Sequence, residues 1–401
     1  MSNSILTECD VLILSGNYGT GHLQVSEALK STILETCPDW NIEIFDFFSL
    51  LDPIFSQVVE FSYHNIIKYF SPGYRLFYNA TCQISPDSNW QKHLNSIGQK
   101  ELEKFILKKK PRIIICTFPT PAGVLSELKG MGRISVPIVT VITDVTVHSQ
   151  WIHPYIDYYF VPADTVFTDM EYMGVPKEKI IITGIPLRKQ FEAKYDKDIV
   201  LEKYGLHSSL PTILVSGGGK MMLSGIIDIC RRLGNLKIPV QVLVVTGQNK
   251  ALARRLHLAL RFSERRIKVL GYVDNMAELL DSCDIMITKA GGVTVFEALC
   301  KGIPMIIFKP IPGHEESNVK FLMENNAART AKNWRQIKNS LDELIFVPSS
   351  RDKIINNMEA LSKPSSSQLA ATIIIRTALN QPITKIVDEQ SATKAPNWRY
   401  A

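Results

Sequence analysis

The sequence predicts an α/β protein made of two doubly wound domains in series, and three observations carry that expectation. Short β-branched apolar runs alternate with helix-length segments. The alternation lapses near residues 189–205 and then resumes, and several strand-to-helix turns are rich in glycine. At 401 residues, with 45% hydrophobic and 21% charged, the chain is long enough to bury two cores.

The first series reads "VLIL" (11–14), "IEIF" (42–45), "IIIC" (113–116), "PIVTVIT" (137–143) and "YYFV" (158–161). After "IITGIPLRKQFEAKYDKD" charge replaces the apolar runs. A second series then begins with "TILVSGGG" (212–219), "VQVLVVTG" (240–247), "IKVLG" (267–271), "IMITK" (285–289) and "PMIIF" (304–308). The expected division is a first domain over 1–188, a linker over 189–205, a second domain over 206–365, and a C-terminal helix near 366–379 with a polar tail to 401. Ligands of such sheets bind beyond the carboxyl ends of the strands, so both domains should face one central cleft.

Composition excludes more than it selects. Seven cysteines (9, 37, 82, 116, 230, 283, 300) are scattered without a CxxC pair, which argues against a disulfide framework or a zinc site and for a cytosolic protein. The N-terminus lacks a basic, then apolar, export signal, and no segment approaches the ~18 apolar residues that span a bilayer. A net charge of +6 favours anionic partners, whether nucleotide, nucleic acid or acidic lipid, without choosing among them.

In "VLILSGNYGTGHLQVSEALK" (11–30), Gly16 and Gly21 have P-loop spacing, but His22 and Leu23 stand where that motif needs Lys and a hydroxyl. A dinucleotide fingerprint begun at Gly19 and Gly21 meets Gln24 where close helix packing wants a small residue. What remains is a histidine in the first turn of a helix. The positive helix end disfavours its cation and leaves a neutral imidazole able to take a proton. A histidine that only caps or packs is the plain alternative; the glycines on either side of Thr20 favour the base by clearing space before the ring.

"TKAGGVTVFEAL" (288–299) places a glycine pair at another strand-to-helix turn. The amides of Gly291, Gly292 and Thr294 could hold a diphosphate, and Glu297 could accept from ribose hydroxyls. "SGGGK" (216–220) and "KPIPGHEES" (309–317, with Glu315 and Glu316) supply a second glycine loop and a polar loop for sugar hydroxyls. A plain turn is the alternative for any one of the three; together they read as a nucleotide-sugar pocket. The Asp-x-Asp pair, Asp196 and Asp198, lies in the expected linker, so no catalytic metal is expected, and helix dipoles with Lys220 would take the leaving-group charge.

Between the second and third strands, Phe55, Val58, Val59, Ile66 and Tyr69 recur at helical spacing, with Phe61, Tyr63 and Phe70 widening the stripe and Lys68 and Arg75 interleaved. This suits either a helix packed on its own sheet or an interfacial membrane segment. The basic run at 251–268 reads as a solvated helix face.

Taken together, "NYGTGHLQV", "TFPTP", "TDVTVHSQW", "TGIPLRKQFE", "LGYVDNMAELL", "ITKAGGVTVFEAL" and "PIPGHEESN" resemble the family of monogalactosyldiacylglycerol synthases and bacterial processive diacylglycerol β-glucosyltransferases, in order from about residue 10 to 365. The bacterial glucosyltransferase branch is the closer match. The resemblance implies a GT-B fold and inverting, metal-independent transfer of a hexose from a UDP-sugar to the 3-hydroxyl of 1,2-diacylglycerol. It also implies a peripheral position on the inner face of the cell membrane, with UDP-hexose, diacylglycerol and an anionic membrane surface as partners, and no nucleic acid or cofactor. His22 would be catalytic, assisted by Asp144. Gly217, Gly218, Gly291, Gly292, Thr294 and Glu297 match diphosphate and ribose positions, Tyr272 the uracil site, and Asp144, His148 and Trp151 a block beside the acceptor. Ala290 stands where members often have Pro, an exchange expected to alter the turn little, and His314 where they often have Gln, which leaves the donor hexose open. A UDP-sugar epimerase and a non-catalytic UDP-sugar sensor are the rival readings; the aromatic segment speaks against the first and His22 against the second.

Overall fold

The computed structural model describes residues 9–16, 20–51, 81, 88–218, 225–261 and 266–383. Two six-stranded sheets are parallel throughout, as expected from the apolar runs: a strand covered by helices on both faces has no polar side to show. The first sheet runs β2–β1–β3–β4–β5–β6, built from β1 (Val11–Ser15), β2 (Ile42–Asp46), β3 (Ile113–Cys116), β4 (Ile138–Val141), β5 (Tyr158–Val161) and β6 (Ile180–Ile182). The second runs β12–β11–β10–β7–β8–β9, from β7 (Thr212–Ser216), β8 (Gln241–Val245), β9 (Ile267–Leu270), β10 (Ile285–Thr288), β11 (Met305–Phe308) and β12 (Ala328–Ala331).

Each sheet reverses its strand order once, between β1 and β3 in the first and between β7 and β10 in the second. At such a reversal the flanking helices leave on opposite faces and open a crevice above the strand ends. The loops after β1 and β3, and those after β7 and β10, therefore stand at the two crevices. Beneath them the strand centres are sealed: Ile13, Leu14, Ile114, Ile115, Val215 and Ile287 have no measurable exposure. Each such aliphatic side chain contributes about 1.5–3 kcal/mol by burial, so Ile115→Ala should cost about 2–5 kcal/mol.

Two stretches join the domains. Residues 189–205 form an ordered crossover with a short turn at Lys189–Phe191 and a helix at Lys197–Lys203, packed against the second-domain helix Met276–Ser282. Asp196 Oδ1 caps that helix, accepting from the Asp198 and Ile199 amides at 2.8 and 3.2 Å. The expected C-terminal helix is present as Ser366–Ala378, but it returns to the first domain, packing on the helix Thr20–Thr36 and on β3. Ser366 and Ser367 Oγ fasten its start to the carbonyls of Ile185 and Leu187, at 2.8 and 2.5 Å. The basic helix Lys250–Leu260 buries Leu252, Leu256 and Leu260 and turns Arg254 and Arg255 to solvent.

Candidate active site

His22 is the third residue of the helix that leaves β1, and its ring lines a cleft of about 190 Å³ between the domains. Nδ1 lies 2.6 Å from the Thr117 carbonyl, just past β3, and 3.3 Å from Thr143 Oγ1, just past β4. A carbonyl only accepts, so Nδ1 carries the proton and Nε2 holds the lone pair. Nε2 makes no hydrogen bond with any described residue. Phe118 meets the ring edge-on at 5.1 Å between centroids. Gly16 makes room for that phenyl, since a Cβ there would lie 2.9 Å from it.

Burial is the first cause holding His22 below its ordinary value; Asp144 and the Thr117 carbonyl oppose it, and His314 adds to it. The imidazole is thus neutral near pH 7, as its place in a helix's first turn suggests, but desolvation leads rather than the helix end.

The second domain contributes the opposite wall. Gly217 and Gly218 follow β7, while Lys289, Gly291, Gly292 and Thr294 follow β10, and all line the cleft. Gly291 caps the helix Gly292–Lys301 with no side-chain hydrogen bond, so the first amides of that helix are left for a ligand. Gly292 lies against the first domain: a Cβ there would sit 2.0 Å from the Thr143 carbonyl oxygen and 2.7 Å from Asp144 Oδ1. Ala290 has φ 71°. Proline is locked near −65°, so the Ala-for-Pro exchange is not neutral in this turn, contrary to expectation.

The carboxylate of Glu315 is fully committed. It pairs with Lys289 Nζ, and its Oε2 accepts from the Ile311 amide at 2.6 Å. Its partner Lys289 stands with its side chain between the Gly218 and Gly291 turns. Glu297 is 6% exposed, and burial pushes its carboxyl up to about 7, opposed by the Arg188 guanidinium. Tyr272 and His314 complete the lining. His148 and Trp151 do not reach it: both are buried, and His148 Nε2 lies 3.1 Å from Thr81 Oγ1 while Nδ1 accepts from the Gln150 amide. Lys220, Phe61, Tyr63, Tyr69 and Phe70 lie outside the described residues.

Three residues enter that the sequence reading passed over. Asn318, with no measurable exposure, ties the domains together. Its Nδ2 donates to Asp144 Oδ1 at 2.8 Å and to the Ala290 carbonyl at 2.9 Å, and its Oδ1 accepts from the Val145 amide at 2.7 Å. Lys289 brings a cation to the cleft, and Arg188 reaches in from the crossover. Lysine at a strand end in "TKAGG" was a readable signal; nothing local marks the other two. Among the described residues, no three His, Cys, Asp or Glu side chains gather as a metal site, and no helix is long and apolar enough to cross a membrane.

Residues 22–187 match the family model for monogalactosyldiacylglycerol (MGDG) synthase, and residues 212–372 that for the glycosyltransferase family 28 C-terminal domain. A processive diacylglycerol beta-glucosyltransferase of Bacillus licheniformis is 33% identical over 372 residues, 92% of this chain and 95% of its own. A Bacillus pumilus protein of the same description is 34% identical, over 90% of this chain and 93% of its own. Among solved structures, Acinetobacter baumannii MurG superposes with a TM-score of 0.58 at 13% identity, covering 92% of this chain and 99% of that one. A co-structure of S. aureus MnaA with UDP gives 0.61 at 15% identity, covering 93% and 99%. Likeness at that identity shows the fold, the two-domain GT-B architecture.

Proposed function

The chain belongs to the family of processive diacylglycerol β-glucosyltransferases, and on that footing we propose that it moves a hexose, glucose in the first instance, from a UDP-sugar to the 3-hydroxyl of 1,2-diacylglycerol. The observation that carries the chemistry is the His22 ring, with Nδ1 anchored on a carbonyl and Nε2 left open on the cleft. Nε2 takes the acceptor's proton as its oxygen attacks the anomeric carbon from the face opposite UDP, which inverts that carbon. Asp144, the carboxylate acting on His22, stabilises the imidazolium that forms. Departing diphosphate meets Lys289 and the uncapped amides of the Gly292 helix, which take its charge without a metal. The acceptor is drawn from a membrane surface, with the protein peripheral on the inner face of the cell membrane; the aromatic segment around Phe61, Tyr63, Tyr69 and Phe70 is the part we assign to that contact.

Purified protein incubated with diacylglycerol vesicles and either UDP-glucose or UDP-galactose tests this directly. Mono- and diglycosyl lipid should form from UDP-glucose, without added divalent metal and in the presence of chelator. Product from neither donor would overturn the reading, and product from UDP-galactose alone would move the protein to the galactosyl branch.

A further inference from the structure

The protein's excess positive charge is gathered in one stretch of the second domain, and the reaction makes no use of it. Residues 225–268 hold ten Lys and Arg against two Asp and Glu, a net +8 in a chain whose total is +6, so everything outside them sums to −2. Within that stretch the helices Ile226–Gly234 and Lys250–Leu260 follow β7 and β8 and pack on each other. Each buries an aliphatic stripe and leaves its charges outside, with Arg231, Arg254 and Arg255 exposed. Asp228, 2.8 Å from Arg232, is the one acidic residue on either helix. Arg231, Arg254 and Arg255 pair with no carboxylate among the described residues. Leu258, 72% exposed, stands one turn beyond Arg254 and Arg255 on the same outer stripe. The surface continues across the strand ends: Lys309 directly follows β11 and Lys332 follows β12, and with Arg232, Trp334 and Arg335 they line an open groove of about 580 Å³. The Arg232 guanidinium lies 5.9 Å from the centre of the Trp334 ring. In a parallel sheet those loops leave at the carboxyl ends, the end that also carries the glycine turns of the cleft.

A helix face that is merely solvated carries both signs, because like charges one turn apart repel and interspersed opposite ones relieve them. A face that keeps a single sign, with a bare leucine and an indole set among guanidinium groups, matches a layer of phosphates with hydrocarbon beneath it. We propose that this basic face, from the two helices to the groove at Lys309 and Lys332, docks the second domain on an anionic phospholipid bilayer. It thereby holds the cleft at the surface from which the acceptor is drawn. This rests on the lipid-acceptor reading above and adds a contact on the domain opposite to the one that carries the aromatic segment. Duplex nucleic acid also presents phosphates, but it offers no apolar layer to Leu258 and Trp334.

Flotation of the full chain with vesicles of phosphatidylcholine alone, or of phosphatidylcholine with one third phosphatidylglycerol, at low and at high salt, tests the assignment. Wild-type protein should partition to the anionic vesicles at least about tenfold more strongly, and the excess should vanish at high salt. Arg254→Gln with Arg255→Gln should weaken that partition roughly 10- to 30-fold, about fivefold for each charge. Adding Lys332→Gln and Arg335→Gln should bring it to the level of the neutral vesicles. UDP affinity by calorimetry, and turnover of diacylglycerol in neutral detergent micelles, should stay at the wild-type level in both variants. On anionic vesicles the quadruple variant should need roughly tenfold more diacylglycerol for half-maximal rate, with kcat unchanged. Equal partition of wild-type protein to the two vesicles, or a quadruple variant that still prefers the anionic ones, would overturn the proposal. So would tighter retention by duplex DNA than by anionic vesicles at the same salt. Wild-type protein that docks through this face but forms no glycolipid sinks the acceptor reading and leaves the docking face standing; glycolipid formed on anionic vesicles with the same lipid dependence by the quadruple variant sinks the face and leaves the acceptor reading.

Discussion

The two sheets present the same topological reversal to the cleft and put opposite chemistry on it. Above β1 and β3 stands the base we propose, His22, its ring fixed by a carbonyl on the neighbouring strand end. Above β7 and β10 stand glycine turns, an uncapped helix start and Lys289, to which our proposal gives the holding and receiving of charge and no reacting atom. Each wall has a titratable group that burial drives toward the uncharged form: His22 downward, Glu297 up to about 7. Each has one opposite charge resisting that drift, Asp144 for the imidazole and Arg188 for the carboxyl. For a base that works neutral, burial helps. For a carboxylate that binds while charged, burial hinders, and the neighbouring cation is required.

The largest effect should come from breaking the first wall alone. His22→Ala is expected to lower kcat by about 10²- to 10⁴-fold while UDP affinity, read by calorimetry, stays within about twofold. Loss of UDP binding with turnover intact would mean that the walls are not divided between chemistry and binding. Next comes the second wall's cation. Lys289→Met should lower kcat by about 10²- to 10³-fold, and it should also destabilise the fold by about 3–5 kcal/mol, because Glu315 is left buried and unpaired. Adding Glu315→Gln should restore thermal stability and leave turnover low. Restored turnover would show that the lysine matters only for the fold.

The seam between the walls comes third. Asn318→Ala strips partners from Asp144, the Ala290 carbonyl and the Val145 amide together. We expect a loss of about 1–3 kcal/mol in unfolding free energy and about tenfold in kcat, as Asp144 loses its fixed place beside the base. A stability loss with kcat unchanged would mean that the clamp holds the domains and not the carboxylate.

Which of these residues could be read beforehand follows from how far their partners lie along the chain. The apolar strands declared themselves because a doubly covered parallel strand is apolar at nearly every position; β12, "ARTA" at an edge, and the three-residue β6 are too short or too polar to do so. His22 stood out because it sits among glycines at a strand-to-helix turn, a local pattern that the sequence alone displays. Asn318 carries no such mark: "EESNVK" reads as an ordinary amphipathic helix until folding brings it to Asp144 and Val145, 174 and 173 residues away. Arg188 likewise reads as one more charge in a charged crossover. His148, expected beside the acceptor, lies outside the cleft with its ring buried near Thr81, a neighbour 67 residues away that its polar block does not announce. Ala290 shows that even a one-residue substitution hides its cost when φ is unknown.

The smallest expected effect is also the sharpest comparison, because it moves the two walls in opposite directions. Asp144→Asn removes the charge while its Oδ1 can still accept from Asn318, so the seam stays closed. Asp144 raises the His22 value; without it His22 titrates lower still, below its ordinary 6.5. The base must be neutral to act, so turnover falls where pH drops through the His22 value, and in Asp144→Asn that acid limb of kcat should move to more acidic pH. Its plateau should drop about tenfold, since a weaker base takes the proton less readily and the imidazolium loses its counter-charge. In Arg188→Gln the limb in KM for the donor, set by Glu297, should move the other way, toward alkaline pH. Rate profiles of the two variants at saturating and limiting UDP-sugar measure both limbs. Opposite displacements are what two walls tuned separately against the same burial require. Displacement of both limbs in one direction would mean that the walls titrate as a single unit, and that the cleft has one electrostatic site where we describe two.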